Sequence, residues 1–457
     1  MKNKKLTSVA LLVSGLLLLT LVLSGCGRKQ TTASAKATLT IYGLDNSEVM
    51  APIIKAYGER QPGVKVVYKK YDNRENYESL LINEIAEGEG PDIFYLHNNW
   101  LPRHVKKLVP LESETLTPET FSAAFVDVAS DDLIQADPRD GVSRIFALPL
   151  YVDSLALYYN KSQFEQAVPE RGRPAPTWAE LAQDAATLRR ESADFDLLRG
   201  SIALGRGDNI ATAPDIFYAM VLQSGTSFYD STGQQARFAS GVQRAFEQFV
   251  AFATASKSEY SWSKELVSAD LKQPELEAFL RGDVSAIMAY SDLFPRLENE
   301  LKNVKSRAGS VIQLRDIKVA PLPQFSEDER EHRTLASYDA LAVSRTSKNP
   351  AIAWDFVQFA TSKSSAQSYH DRTRRPAARR DLIEDQKKEP FVDVFVSQVG
   401  YAETVPVLSE SSYSAILRAA FTQAADGQNA RSALAEAQTA ITELLKAELP
   451  EGLYPKK

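Results

Sequence analysis

The amino-acid sequence predicts an α/β protein of at least two lobes, and three observations support this. The chain has 457 residues, of which 44% are hydrophobic and 25% charged, as in ordinary globular proteins. That length exceeds the roughly 250–300 residues at which a single hydrophobic core stops growing. Residues 37–96 alternate strand and helix patterns, which is typical of a parallel sheet with right-handed helical crossovers.

The first sheet is predicted from three strands and two helices near the start of the chain. In chain order these are the strand Ala37–Leu44, a helix from Asn46 towards Tyr57, the strand Val64–Tyr71, the helix Arg74–Glu87 and the strand Pro91–Leu96. We expect Asn46 to cap its helix. Ligands of such sheets bind beyond the carboxyl ends of the strands. Those ends lie near Asp45-Asn46, Asp72-Asn73 and His97-Asn98-Asn99-Trp100.

The rest of the chain is predicted to be rich in helices, with short strands between them. The helices are Thr177–Arg190, Ala213–Ser224, Phe238–Ala253, Pro274–Arg281, one opened by Asn349-Pro350, Ser411–Ala425 and Ala430–Ala447. The strands are Ser154–Asn160, Ala286–Ala289, Lys318–Leu322 and one starting at Ala340. Thr177 is expected to cap its helix. Trp178 and Trp354 lie on amphipathic helices, so we interpret both as core residues.

Residues 1–25 are predicted to be a lipoprotein signal peptide outside the fold. Three lysines precede the apolar stretch 6–23, which ends in Leu23-Ser24-Gly25-Cys26 with the only cysteine of the chain. This tetrapeptide resembles the bacterial lipobox, in which the chain is cut before a cysteine that is then lipidated. An uncleaved anchor helix with an incidental cysteine is the alternative. Residues 26–36 would form a tether, and we expect an extracytoplasmic protein held at the cell membrane by lipid on Cys26.

Composition and motifs argue against several classes of function. A formal net charge of −6 leaves no positive field for nucleic acid. The sequence lacks a Gly-x-Ser-x-Gly motif, and its four histidines are scattered without metal-ligand spacing. We therefore predict a protein that is not an enzyme, with no cofactor and no metal. A lipid-anchored glycoside hydrolase stays open as the alternative, because sequence cannot show two carboxylates flanking a substrate.

Six motifs in chain order carry a resemblance to a known family. They are Gly90-Pro91-Asp92-Ile93; Leu148-Pro149 with Asp153-Ser154 and residues 157–161; residues 176–181; Phe279 with Gly282-Asp283 and residues 286–288; residues 319–323; and residues 347–350 with 353–356. This order resembles that of extracellular solute-binding proteins of the maltose-binding type (family 1). The resemblance implies a type II periplasmic-binding-protein fold, in which two lobes, each a mixed, mainly parallel sheet flanked by helices, are joined by a hinge of three crossings.

The resemblance also implies a function and a division of the chain. The expected protein is a monomeric receptor that delivers a captured solute to the membrane permease subunits of an ABC importer. The crossings would fall near Leu148–Tyr151, Ser337–Ala340 and Val396–Tyr401. Lobe 1 would then comprise 36–149 plus 341–396, and lobe 2 would comprise 150–338 plus 401–457.

A carbohydrate, first of all an oligosaccharide, is the expected ligand, with polyols, sugar phosphates and other polar solutes as alternatives. Its hydroxyls require carboxylates and amides, and the C–H faces of its rings require aromatic side chains. The candidate ligand-binding residues chosen on this basis are Asp45, Asn46, Glu48, Asn98, Asn99, Trp100, Tyr151, Asp153, Trp262, Tyr290, Asp292, Tyr338, Asp339 and Arg375.

Some of these candidates have a second interpretation. Asn98 and Asn99 face the cleft or cap the helix that follows, and Trp100 stacks on a ligand or packs under its own helix. Trp262 lies in a polar stretch without a helical period, which favours an exposed ring. Asp153 matches an acidic hinge position at which the family commonly contacts sugar.

Two further features bear on the identity of the ligand. Arg375 belongs to a basic run, residues 372–380. This run is either a solvated helix end or the segment that places Arg375 at the rim of the cleft. In the second case Arg375 would bind an acidic sugar or a phosphate by a two-pronged contact. Tyr290 opens a Tyr-Ser-Asp-Leu-Phe stretch where the family often has Gly-x-Trp. The usual stacking ring is therefore missing or replaced, which also keeps open an adhesion or scaffold lipoprotein with a degenerate cleft.

Overall fold

A computed structural model describes residues 37–231, 233–268, 270–308, 312–407 and 409–448 of the chain. The predicted signal peptide, Cys26 and the tether lie outside these described residues. Within the described ranges, no helix is both long enough and apolar enough to span a bilayer.

The strands and helices of the described residues follow in chain order. The strands are β1 (Ala37–Gly43), β2 (Val64–Lys70), β3 (Ile93–His97), β4 (Ile134–Ala136), β5 (Ser143–Ile145), β6 (Ala147–Pro149), β7 (Asp153–Ser154), β8 (Ala156–Asn160), β9 (Arg190–Glu191), β10 (Leu197–Ile202), β11 (Val284–Ala289), β12 (Ile317–Ala320), β13 (Thr334–Ser337), β14 (Asp339–Val343) and β15 (Ala402–Glu403). The helices are α1 (Ser47–Arg60), α2 (Arg74–Glu87), α3 (Leu101–His104), α4 (Pro118–Ala124), α5 (Asp127–Leu133), α6 (Lys161–Ala167), α7 (Trp178–Leu188), α8 (Ala213–Gln223), α9 (Ser240–Ala251), α10 (Pro274–Arg281), α11 (Leu297–Ala308), α12 (Pro350–Ala360), α13 (Lys363–Thr373), α14 (Arg380–Gln386), α15 (Val392–Gln398), α16 (Glu410–Ala425) and α17 (Ala430–Glu448).

Two five-stranded sheets form the centres of two lobes, which confirms the predicted fold class. The first sheet has the order β2-β1-β3-β14-β6, with β1 parallel to both of its neighbours and β14 antiparallel to β3 and β6. The second has the order β12-β8-β11-β10-β9, with a parallel β10–β11 pair and antiparallel pairs on both sides of β8. Both sheets are therefore mixed, as predicted, but neither is mainly parallel: two of the four pairings in the first sheet and one of the four in the second are parallel. Their buried strands carry near-continuous apolar side chains because helices cover both faces.

The chain passes between two separate hydrophobic cores. Side chains change from one core to the other between residues 152 and 155 and again between 335 and 336, and side chains of both cores occur over 395–405. A small sheet of order β15-β13-β7 lies at these passages. We propose that these three segments are the hinge crossings and that the lobe boundaries follow them.

Local sequence signals account for most helix starts. The Thr177 hydroxyl accepts the backbone N–H of Glu180 and caps α7, as predicted, and Pro350 begins α12. Trp178 and Trp354 are buried, which confirms their assignment to the core. Asn46 lies at the N-cap position of α1, as predicted, but its side chain makes no capping hydrogen bond. The predicted side-chain cap is therefore wrong.

A buried carboxyl group lies at the first turn of α10. Glu275 is 4% exposed, its Oε1 accepts the backbone N–H of Ala211 at 2.9 Å, and its Oε2 has no hydrogen-bond partner among the described residues. Burial raises the pKa of Glu275 to about 7. The folded protein therefore holds a proton on Glu275 at pH values where the unfolded chain has released it.

We expect Glu275 to make the protein less stable as the pH rises. Its contribution is fully present below about pH 4.5 and is lost as the pH rises through about 7, because the folded-state pKa is the higher one. Glu275→Gln removes this titration, so the difference in unfolding free energy between variant and wild type should change by ~3 kcal/mol between pH 4 and pH 8. Urea unfolding at both pH values measures it, with Glu277→Gln on the same helix as control. Equal profiles for the two variants would contradict the prediction.

Candidate functional site

A cavity of about 260 Å³ lies between the lobes. The first lobe contributes Leu44, Asp45, Asn46, Val49, Lys70, Asp72, Thr373 and Arg375, and the second lobe contributes Asp292 and Arg296. The first-lobe residues include the ends of β1 and β2, and the second-lobe pair follows β11. The cavity therefore lies at the carboxyl ends of strands, where α/β sheets bind their ligands.

The Asp45 carboxylate is the best satisfied polar group of this wall. It accepts hydrogen bonds from Arg375 Nη1 at 2.8 Å, from the Tyr369 hydroxyl at 2.8 Å and from the Tyr95 hydroxyl at 3.0 Å. These three donors come from β3, α13 and the segment that follows α13. Because Asp45 accepts three hydrogen bonds from the protein, it holds Arg375 in place and keeps about one acceptor position for a ligand.

Arg375 is oriented by aromatic rings as well as by Asp45. Its guanidinium carbon lies 4.5 Å from the centroid of the Tyr151 ring, and Tyr151 stacks on Tyr369 with ring centroids 5.8 Å apart and planes 9° from parallel. Among the described residues, the side-chain hydrogen bonds of Arg375 all use Nη1. Nε and Nη2 are thus the donors that Arg375 can offer to a molecule in the cavity.

The opposite wall is a short 3₁₀ turn, Ser291–Arg296, held against the hinge. The Ser291 backbone N–H and hydroxyl donate to the Asp153 carboxylate at 3.2 and 2.7 Å. Burial raises the pKa of Asp153 to about 7. Asp292, one residue further on, is half-exposed to the cavity, and its carboxylate lies 3.6 Å from Arg296 Nη2.

The charges that line the cavity cancel. The acids are Asp45, Asp72 and Asp292, and the bases are Lys70, Arg296 and Arg375. Each acid has a base beside it: Lys70 lies 2.6 Å from Asp72, and the other two pairs are those already described. The cavity is therefore strongly polar without attracting one sign of charge over the other.

Four of the predicted residues line this cavity, namely Asp45, Asn46, Asp292 and Arg375. Glu48 is exposed on the first turn of α1, outside the lining, and Tyr151 lies beneath Arg375. The basic run was interpreted either as a solvated helix end or as a segment at the cleft, and Arg375 lies in the lining of the cleft. Its Nη1 is bonded to Asp45 and Tyr369, which leaves Nε and Nη2 as donors for a molecule in the cavity.

Asp339 and Asp153 are buried and engaged by the protein instead of facing the cavity. Both guanidinium arms of Arg74 reach the Asp339 carboxylate, at 2.5 and 3.1 Å, and the Tyr151 hydroxyl donates to it at 3.0 Å. Burial opposes the charge of Asp339, but the Arg74 guanidinium outweighs burial and lowers the pKa of Asp339 to about 2. The Asp153 carboxylate is used by Ser291 and Ser154.

The prediction of an exposed Trp262 is wrong. Its ring is completely buried in the core of the second lobe, and its Nε1 donates to Asn209 Oδ1 at 2.8 Å. The polar residues around it in sequence misled the prediction, because Ser261 turns inward and donates its hydroxyl to the Ile202 carbonyl. A buried amide thus supplies the partner that the indole needs.

Predicted binding residues at the end of β3 and at the crossing near residues 337–340 are also buried or bonded to other residues of the protein. Trp100 is buried in the first core, and the Asn98 amide donates to Asp132 and Thr404. The Tyr338 hydroxyl donates to the same Asp132 carboxylate. Tyr290 is partly buried and donates to Asp215 at 3.0 Å, and Asn99 is partly buried in the 3₁₀ turn after β3. None of these five residues is in the lining of the cavity that the described residues form.

Six lining residues are not among the predicted ligand-binding residues, namely Leu44, Val49, Lys70, Asp72, Thr373 and Arg296. Asp72 follows β2 directly, so the strand-end rule that selected Asp45 also applies to it. The four-residue spacing of Asp292 and Arg296 is a helical pairing signal. Thr373 reaches the cavity only because α13 packs against α1, which no local pattern indicates.

The fold and the interlobe cavity define a two-lobed α/β binding protein. Among solved structures, the chain is similar to the sugar-binding protein MalE of Xanthomonas citri, with a TM-score of 0.72 and 17% identity over 90% of this chain and 98% of that one. Among curated proteins it is 21% identical over 417 residues to a putative binding protein of Brucella abortus, covering 89% of this chain and 88% of that protein. It is also 38% identical over 101 residues to the mannitol-binding protein of Pseudomonas aeruginosa, which is 20% of this chain and 22% of that protein.

The family profile described as bacterial extracellular solute-binding protein matches residues 43–367. The chain belongs to this family, as the order of its motifs predicted.

Proposed function

We propose that the protein is the substrate-binding lipoprotein of an ABC importer, and that it captures a carbohydrate or a related polyhydroxylated solute between its lobes for delivery to the membrane permease. The observation that carries this proposal is the interlobe cavity, whose polar walls come from both lobes at the carboxyl ends of their strands. Family membership supports the receptor class. Cys26 would carry the lipid that keeps the receptor at the cell surface, and mass spectrometry of protein extracted from membranes tests that modification.

The chemistry of the walls suits hydroxyl groups. Each hydroxyl donates one hydrogen bond and accepts others, and the lining offers carboxylate acceptors beside cationic donors. Two relatives support the same class of ligand, because one is named for mannitol and one for sugar binding in general. A solute that contacts Arg375 on one wall and Asp292 on the other would favour the closed arrangement of the lobes.

The arrangement of carboxylates favours a receptor over a glycoside hydrolase. Each acidic side chain of the lining is paired with a cationic side chain. A carboxylate paired in this way can accept hydrogen bonds from the hydroxyl groups of a ligand. Glycoside hydrolysis requires in addition a carboxylic acid that protonates the leaving group. We therefore propose that the protein binds its solute without converting it.

Thermal unfolding of the purified protein against a panel of sugars, polyols and sugar phosphates tests the proposal. A ligand present at about 100 times its dissociation constant adds ~2.7 kcal/mol to the unfolding free energy, which raises the midpoint temperature measurably. We expect one class of solute to give this shift and to be recovered unchanged. Recovery of shortened sugar would favour the hydrolase, and no shift with any member of the panel would contradict the proposed ligand class.

A further inference from the structure

We propose that the cavity selects an open-chain polyol over a cyclic sugar, an inference that rests on the proposed function. The observation behind it is the absence of aromatic side chains from the described residues that line the cavity. Sugar rings present flat C–H faces, and binding sites for them place aromatic rings against those faces. A site without such a ring lacks the group that distinguishes a pyranose from other polyhydroxylated solutes.

Most of the aromatic residues that were predicted to bind the ligand are buried in the protein. The exposed fractions of Trp262, Trp100, Tyr151 and Tyr338 are 0%, 3%, 4% and 1%. The face of Tyr151 that would meet a sugar is covered by the Arg375 guanidinium at 4.5 Å. Tyr290 is partly exposed, and its hydroxyl donates to Asp215; neither residue is among the described residues that line the cavity.

The polar groups of the cavity match a chain that carries a hydroxyl on every carbon. Lys70, Asp72 and Arg375 stand on the first-lobe wall, and Asp292 and Arg296 stand on the second. Such a chain directs hydroxyls to both walls at once, each able to donate to a carboxylate and to accept from a cation. Its C–H groups are distributed along a thin chain, for which the small apolar contribution of Leu44 and Val49 is sufficient.

The charge of the lining narrows the class further. The three acids and three bases of the lining cancel, so the cavity favours an uncharged alditol over an acidic or phosphorylated one.

Isothermal titration calorimetry with matched pairs tests this inference on the full chain. Each pair joins an alditol to the aldose of the same stereochemistry: glucitol with glucose, mannitol with mannose, galactitol with galactose and ribitol with ribose, with maltose added as an oligosaccharide. We expect at least one alditol to bind about tenfold or more tightly than its aldose and than maltose. An aldose or maltose that binds as tightly as every alditol would overturn the inference and leave the receptor function intact. No binding by any member would instead reject the proposed function.

Two substitutions of Asp292 distinguish the effect of losing its carboxylate from the effect of adding an aromatic ring. Asp292→Asn should weaken binding of the alditol about tenfold or more, because a hydrogen bond to a charged group is lost. Asp292→Trp adds the missing ring at a half-exposed position and should shift the alditol-to-aldose affinity ratio about tenfold towards the aldose. Asp283→Asn, at the other end of β11 and paired with Arg281 outside the cavity, is the matched control and should leave both affinities unchanged. An unchanged ratio in Asp292→Trp together with unchanged affinity in Asp292→Asn would overturn the inference.

Discussion

Arg375→Ala is expected to weaken ligand binding about 100-fold and to lower the unfolding free energy by ~3 kcal/mol. Binding is lost because the Nε and Nη2 donors disappear together with the guanidinium that Asp45 and Tyr369 hold in place. Stability is lost because the Asp45 carboxylate, whose side chain is 10% exposed, loses its cationic partner. Calorimetry with the ligand found in the solute panel and urea unfolding of the free protein measure the two effects separately.

A double variant distinguishes a binding role of Arg375 from a purely structural one. Asp45→Asn combined with Arg375→Met removes both charges and keeps similar volumes, so most of the lost stability should return. Binding should stay weak, because the donors are still missing. Arg372→Ala changes an exposed arginine of the same basic run and serves as control. Recovery of binding in the double variant would show that Arg375 acts only through folding.

Trp262→Ala is expected to destabilise the second lobe by ~3–5 kcal/mol. The substitution empties a completely buried site and leaves Asn209 Oδ1 without the indole donor that lies 2.8 Å away. The Asn209 amide also donates to the Ser263 carbonyl at 3.2 Å, so the segment around Trp262 loses part of its support. Thermal and urea unfolding of the free protein provide the measurement.

Trp262→Phe is the matched comparison for this prediction. It retains most of the buried apolar area and loses the hydrogen bond, so we expect a smaller loss of ~1–2 kcal/mol. Ligand affinity should be unchanged in the phenylalanine variant, because the ring lies in the core and outside the cavity lining. Loss of binding without loss of stability would restore the earlier hypothesis that Trp262 stacks on the ligand.

A cluster of Asp45, Tyr95, Tyr369 and Tyr151 around Arg375 would let the protein bind the proposed uncharged solute with charged side chains. Asp45 and Tyr369 accept hydrogen bonds from Arg375, and Tyr151 lies under its guanidinium, while Tyr95 donates to Asp45. These contacts fix the direction of the remaining donors of Arg375. A donor held in place in this way loses little side-chain entropy when a ligand arrives. The cluster therefore orients the cavity wall before any ligand binds.

Sequence patterns predicted the architecture correctly because they depend on local physics. Alternation of strands and helices, the Thr177 cap and the proline at the start of α12 each follow from interactions within a few residues. Burial of Trp178 and Trp354 follows from the amphipathic period of their helices. Strand ends also indicate where polar side chains meet, and Asp45 and Asn46, predicted on that ground, line the cavity.

The sequence by itself thus determined the fold class, the family and the edge of the sheets at which a ligand would bind. Only the tertiary structure decided which polar side chains face the cavity and which face one another. Asp339 and Asp153 are no less polar in sequence than Asp292, yet Arg74 and Ser291, 265 and 138 residues away along the chain, use their carboxylates. The physical reason is that a buried polar group must find a partner, and that partner is supplied by packing between distant segments, which no local pattern encodes.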